Sequence, residues 1–149
     1  MDYNYECTTH EWVANEDGDL DFYFRANFLH PIDMYMGIGG TASNFGTSED
    51  WTGQLYMESE YADPEKPSAL KILDTDYDNY YVKYSCSSML WDGMHWESWA
   101  IMSRETTLSS ELYAAAEAAV YEHVPNTDIN WFTKHETAHW WCRYDWDLA

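Results

Sequence analysis

The stretch 70–104, LKILDTDYDNYYVKYSCSSMLWDGMHWESWAIMSR, constrains the fold of this chain most. It reads as two aromatic-rich strands joined through a Trp91-Asp92-Gly93 turn and closed by the pair Ser103-Arg104. Aromatic and β-branched side chains recurring at every second position suit a pleated, half-buried surface. The pattern predicts a small antiparallel β-barrel built around an apolar cavity.

The rest of the chain extends that reading. Between Asp19 and Phe28 the residues alternate strictly, with Leu20, Phe22, Phe24, Ala26 and Phe28 on one face and Asp19, Asp21, Tyr23, Arg25 and Asn27 on the other. One face is therefore buried and the other wet. Residues 3–14 read as its partner strand, and Asn15-Glu16-Asp17-Gly18 as the hairpin between them, the glycine being free to take positive φ. A short third strand is expected over 31–36, followed by a mobile loop marked by Gly37, Gly39, Gly40 and Gly46. Further strands are expected over 51–60, 69–73, 79–86 and 96–103, with a Pro-containing turn at 62–67. Short strands at this spacing suggest a meander that closes into a barrel.

One segment reads as a helix. Ser109 or Ser110 supplies the N-cap, Leu112, Ala115, Ala116, Ala119 and Val120 recur at helical spacing, and Pro125 stops the run. This helix is expected against the outside of the barrel. Residues 129–133 read as a last short strand. The expected class is thus all-β with one helix, an antiparallel up-and-down β-barrel with a late α-helix packed outside.

Composition bounds the partners. At 149 residues the chain is one domain, long enough to bury roughly 70% of the surface that its unfolded form exposes. Nine Trp and thirteen Tyr exceed what an ordinary core requires, so a flat apolar ligand or a protein partner is expected to use the surplus. A formal net charge of −20 argues against nucleic acid and anionic membranes as partners, because repulsion opposes each encounter. The acidity reads as a solvated surface. The competing reading is a pH response, in which raised-pKa carboxylates and the six His take up protons as the surroundings approach pH 5. No apolar run reaches the ~20 residues of a membrane span, no charged-then-apolar leader precedes the first strand, and there is no Asn-x-Ser/Thr sequon.

The order of these features resembles that of lipocalins, and the local wording resembles the lipocalin domain of violaxanthin de-epoxidase. The run Y-E-C-x-x-H-E-W at 5–12 is similar to that family's aromatic-Asp-Cys-x-x-His-Glu-Phe strand. Residues 79–108, with the aromatic strand, the Trp-Asp-Gly turn and Ser103-Arg104, are similar to its strand, turn and Thr-Arg ending; the helix and Cys142 follow in family order. The likeness covers most of the chain, with 28–70 only loosely comparable. Two departures stand out. The family's Cys-rich domain and Glu-rich tail are not found in this sequence, and neither is the Gly-x-Trp signature of a first lipocalin strand. The expectation is one lipocalin-like domain over 1–149 that opens at the second strand.

Three Cys allow one disulfide and one free thiol, or three reduced thiols in a reducing compartment. The resemblance implies a disulfide between Cys7 and Cys142, and closing so long a loop would stabilise the fold by about 4 to 5 kcal/mol in the chain-entropy picture. Cys86 shares a face with Tyr80, Val82 and Tyr84 and reads as a small core residue.

Two motifs argue for metal chemistry. His135-Glu136-Thr137-Ala138-His139 matches H-E-x-x-H, in which two His bind zinc and the Glu polarises a water. However, the helix has already ended at Pro125, and only ten residues follow His139, which leaves little room for a third ligand. Asp74, Asp76 and Asp78 match the start of a calcium loop, but Asn79 stands where glycine is needed and Ser85 where a bidentate Glu belongs. An acidic hairpin turn is the better reading.

Phe22, Phe24, Tyr80, Val82, Tyr84 and Trp99 are the expected barrel lining, and the resemblance makes a carotenoid or another long lipophile the expected ligand. No catalytic residue is assigned. The preferred function is a non-catalytic, soluble accessory protein of the photosynthetic apparatus, located in the plastid thylakoid lumen. It would bind a carotenoid or dock on a photosystem or antenna pigment–protein complex through an aromatic surface that includes Trp140, Trp141 and Trp146. The alternatives are a carotenoid de-epoxidase-like enzyme, with barrel Asp or Tyr acting as general acids, and a zinc hydrolase built on His135, Glu136 and His139.

Overall fold

The computed structural model describes residues 6–27, 35–44, 54–59, 68–88, 95–127 and Cys142. Along the chain lie β1 (Glu6–Ala14), β2 (Leu20–Asn27), β3 (Tyr35–Asn44), β4 (Gln54–Ser59), β5 (Ser68–Thr75), β6 (Tyr80–Ser88), β7 (His95–Ser103) and α1 (Ser110–His123). The strands form one seven-stranded antiparallel sheet in chain order, which is the expected meander. The sheet curls until strands far apart in the order meet: the Trp12 indole N–H of β1 donates to the Tyr81 hydroxyl of β6 at 3.1 Å.

The first hairpin follows from its side chains. Asn15 Oδ1 accepts from the backbone N–H groups of Asp17 at 3.1 Å and Asp19 at 3.0 Å. These bonds satisfy backbone donors that the turn would otherwise strand, while Gly18 takes φ +87°, a conformation that costs a glycine nothing. Beyond the turn, Trp12 faces Phe22 and His10 faces Phe24 across the β1–β2 ladder. Near the start of β1 the register shifts between Glu6 and Thr9, and Cys7 adopts φ 53°. The kink accompanies a side chain aimed out of the ladder. Cys7 is fully buried and joined to Cys142 across 135 residues, with 5.2 Å between the Cα atoms. The disulfide implied by the resemblance is present, and Cys86 is free.

The glycine-rich segment corrects the reading from sequence. Of the strand expected over 31–36, Tyr35 and Met36 belong to β3 and 31–34 lie outside the described residues; instead of a loop, Gly37, Gly39 and Gly40 continue β3 and pair with Arg25, Tyr23 and Phe22 of β2. The physical reason is close approach. A Cβ at Gly40 would run into the backbone carbonyl of Glu58 and come within 2.9 Å of the Phe22 ring. Glycine here lets β3 and β4 close up as the sheet bends, a use of strand glycine that mimics a loop signal. Gly46, Phe28, the Trp91-Asp92-Gly93 turn and the expected strand over 129–133 lie outside the described residues.

The helix forms as expected, and the cap is resolved in favour of Ser109. Its backbone is extended and its Oγ accepts from the Leu112 N–H at 3.3 Å. Glu111 in the first turn and His123 in the last complement the helix dipole. α1 lies on β5, β6 and β7, where Ala116 and Val120 pack with Tyr80 and Val82, flanked by Leu73, Trp99, Ile101, Leu108 and Leu112. Fully burying a valine contributes roughly 1.5 to 3 kcal/mol, so Val82 and Val120, both 0% exposed, anchor this contact. A second cluster holds Phe22, Ala42, Leu55 and Leu70, with Trp12, Leu20, Met57 and Ile72 against it.

Arg104, which ends the signature stretch, grips the β5–β6 turn. Its Nε and one terminal nitrogen donate to the Tyr77 carbonyl at 3.0 and 2.8 Å, and its backbone N–H donates to the Asn79 carbonyl at 2.9 Å. Tyr77 takes φ 67° in this turn. Among the described residues no helix is long and apolar enough to cross a membrane.

Candidate functional site

Directly paired residues of neighbouring strands point to the same side of a sheet, so the ladder fixes which residues share the concave face. His10 and Trp12 of β1 stand with Phe22 and Phe24 of β2, and Ile38, Gly40 and Ala42 of β3 continue the face. Leu55 pairs with Leu70, Leu70 with Ser85, and Ile72 with Lys83. Tyr81, Lys83 and Ser85 of β6 are matched by Met102, Ala100 and Ser98 of β7. The Trp12–Tyr81 hydrogen bond shows that both walls look into one interior.

The wall of β1 and β2 is aromatic. Trp12 and Phe22 have ring centroids 5.7 Å apart and tilted by 46°, and His10 and Phe24 meet edge to face at 4.7 Å. Opposite them lies a polar cluster. The Tyr81 hydroxyl, which accepts from Trp12, is 3.5 Å from His10 Nδ1, and Lys83 Nζ is 3.3 Å from each ring nitrogen of His10. An ammonium only donates, and a neutral imidazole offers one lone-pair nitrogen, so Lys83 supports one of the two contacts at a time.

The electrostatics follow from burial. Desolvation, helped by the neighbouring Lys83 charge, lowers the His10 pKa to about 3. Desolvation also brings Lys83 down to about 8 and pushes Tyr81 upward, the Trp12 hydrogen bond opposing the latter. Lys83 feels no charge from His10, which is neutral at the pH where the lysine titrates. His10, Tyr81 and Lys83 keep partial surface contact while being desolvated. Trp12 beside them packs against the buried Phe22, Ala42, Leu55 and Leu70, so the concave face is filled at that cluster and partly accessible at His10, Tyr81 and Lys83. Of the six His that could take up protons near pH 5, burial disfavours that role for His10.

The structure divides the expected lining in two. Phe22 and Phe24 lie on the concave wall. Tyr80 and Val82 lie beneath α1 with Trp99 against them, and Tyr84 shares their face of the sheet. The Trp99 indole donates to Thr127 Oγ1 at 3.0 Å, just beyond the helix. The Tyr84 phenol is raised to about 12 by desolvation and by its contacts with Glu97 and Cys86 on the same face. The reason is the helix: an outer face it covers must be apolar, so β6 turns its apolar alternation outward. Lining residues missed from sequence are His10, Trp12, Tyr81 and Lys83. The signal was available, because a helix expected outside the barrel demands an apolar stripe on the strands beneath it.

The calcium-like acidic segment is a turn. Asp76 is committed to the turn, accepting from the Asn79 N–H at 2.8 Å, Asn79 Nδ2 at 2.7 Å and the Tyr80 N–H at 3.0 Å, while Asp74 accepts from the Tyr80 hydroxyl at 2.8 Å. This is the acidic hairpin turn, stabilised by Asp76 as a carboxylate, with its pKa lowered mainly by the Asn79 side chain. Among the described residues no group of three His, Cys, Asp or Glu could hold an ion. His135, Glu136 and His139 lie outside the described residues, as do Trp140, Trp141 and Trp146.

A curled antiparallel meander with one late helix on its outer face is a lipocalin fold. Solved structures bear this out. The chain superposes on apocrustacyanin C1 with a TM-score of 0.69 at 24% identity, covering 97% of this chain and 73% of that one. Insecticyanin from the tobacco hornworm Manduca sexta gives 0.71 at 15% identity, covering 95% and 74%. Lobster apocrustacyanin A1 gives 0.63 at 23% identity, covering 90% and 68%. No family model and no curated protein matches the sequence. The neighbours are lipocalins, and at these identities they define the fold.

Proposed function

We propose that this protein is a non-catalytic carrier that holds one long apolar molecule, of the carotenoid class, inside the barrel. The observation that carries the proposal is the partly accessible concave wall of Trp12 and Phe24, backed by the buried Phe22 and set beside Tyr81 and Lys83, which are desolvated yet still accessible. Aromatic rings set side by side along one wall suit a rigid, extended lipophile, because such a ligand loses little conformational freedom on binding. The lipocalin fold supports the reading, since eight-stranded barrels of that fold leave room for one small ligand; seven strands are described here, without a β1–β7 ladder among the described residues.

A narrower form of the proposal makes the protein a relative of the violaxanthin de-epoxidase barrel that serves a pigment–protein complex in a plastid. It rests on the sequence motifs around Cys7 and Arg104 alone. One isolation tests both forms. Protein purified gently from its native source should show visible polyene absorption, with one carotenoid per chain identified by mass spectrometry. Photosystem or antenna subunits around an empty barrel would replace carriage with docking. An empty protein without partners would contradict both.

A further inference from the structure

We propose that Lys83, with His10 and Tyr81 beside it, anchors the carboxylate end of a long-chain lipophile inside the barrel. The inference rests on the carrier reading and narrows its cargo to chains that end in a carboxylic acid.

The first argument is charge balance. The chain holds 27 Asp and Glu against 7 Lys and Arg, so an inward lysine would be expected to meet a carboxylate. Among the described residues it meets none. Its cross-strand partners are Ile72 on β5 and Ala100 on β7, neither of them charged. From β1 it meets His10, a neutral ring, and the titratable neighbour two residues along β6 is the Tyr81 phenol. Among the described residues no carboxylate contributes to its titration, which is governed by desolvation. A desolvated cation without a counter-charge is expensive to keep, and truncation or neutralisation is the usual relief. A ligand that brings its own anion supplies the counter-charge that these described neighbours do not.

The second argument is geometry. Lys83 has three donors, of which His10 can take one. Around it on the concave face stand Ser85, Ser98 and Ala100, all small and all partly accessible. These leave space where larger residues would fill the wall. Tyr81 already accepts from Trp12, so its hydroxyl hydrogen is free to turn toward a ligand oxygen. A carboxylate placed on Lys83 would therefore send its chain along Phe24 and Trp12, the partly accessible rings that lie over the buried Phe22. Hydrogen bonds to an ionised partner are shorter and about twice as strong as neutral ones, which is the basis for discrimination between acid and alcohol.

The test uses matched pairs on the full chain at neutral pH: palmitic acid against hexadecanol, and retinoic acid against retinol. The pairs separate a saturated fatty acid from a polyene acid as the source of the carboxylate. At least one acid should bind about ten- to a hundredfold tighter than its alcohol. Lys83→Met should abolish that preference by weakening the acid, with the alcohol bound at least as tightly as before, and Lys83→Arg should keep it. Equal binding of acid and alcohol by the unaltered protein, or a preference that survives Lys83→Met, would overturn the anchor. If alcohols and a carotenoid bind as well as the acids, the anchor fails and carriage stands; if the folded protein binds no probe, both fail. Should Lys83→Met not fold, the unaltered protein decides the matter between about pH 7 and pH 11. The preference must vanish as the lysine loses its proton, and a constant preference across that range contradicts the proposal.

Discussion

The β1–β2 and β6–β7 hairpins use the same alternation of aromatic and polar residues but turn it in opposite directions. In the first, Trp12, Phe22 and Phe24 face the interior. In the second, Tyr80, Val82 and Trp99 face α1, and Tyr81 and Lys83 are left to look inward. Alternation identifies two faces and does not say which is concave. What covers the outer face decides that, and only the second hairpin is covered by the helix.

The largest expected effect lies where the first hairpin is tied down. Cys142→Ser should lower unfolding stability by about 4 to 5 kcal/mol in the chain-entropy picture, measured by urea denaturation under non-reducing conditions. Hydrogen exchange should then accelerate in β1 more than in β6, since β1 carries Cys7. Uniform acceleration across both hairpins would mean that the disulfide supports the whole sheet.

A crossed pair of variants separates the walls. Val82→Ala removes two methyl groups from a fully buried site under α1 and should cost about 1.5 to 3 kcal/mol of stability without altering lipophile affinity. Phe24→Ala should weaken lipophile binding severalfold and destabilise less, because Phe24 is only partly buried. Val82→Ala weakening binding in the folded protein would break the comparison. Between the walls, Gly40→Ala places a methyl group against the Glu58 carbonyl and the Phe22 ring. It should destabilise by about 1 to 3 kcal/mol, read from the same denaturation curves.

The smallest effect sharpens the account of the polar cluster. An unfolded His10 takes a proton below its ordinary value of 6.5, whereas the folded ring resists until about 3. The unfolded state therefore binds more protons in that window, and the histidine erodes stability as pH falls from 6.5 toward 3. Compared with His10→Gln, the unaltered protein should lose up to about 1 kcal/mol more between pH 6.5 and pH 5, allowing for solvent reaching the site. Equal losses would mean that His10 is not desolvated. Lys83 acts at the other end: stability should rise between about 8 and the lysine's ordinary 10.5, because the folded amine sheds its proton first.

The physics of each element decides what the sequence could disclose. The first hairpin was legible because Asn15, Gly18 and an unbroken alternation all agree. The helix was legible from Ser109, its apolar spacing and Pro125. β3 was hidden because its glycines serve close packing against Glu58 and Phe22, a tertiary demand that looks like turn chemistry in one dimension. The recess was half legible: Phe22 and Phe24 stand on a strand with one wet face, whereas β6 is apolar outward and its inward residues include a lysine. A charged side chain on the concave face is a departure from simple patterning, and such departures gather at sites of function.

The most direct test of the central claim is quenching of tryptophan fluorescence by a carotenoid, compared across Trp12→Phe and Trp99→Phe. A lipophile inside the barrel predicts saturable binding of one molecule per chain, with Trp12→Phe removing more of the quenching than Trp99→Phe. Unsaturable quenching, or quenching carried by Trp99 beneath the helix, would contradict it.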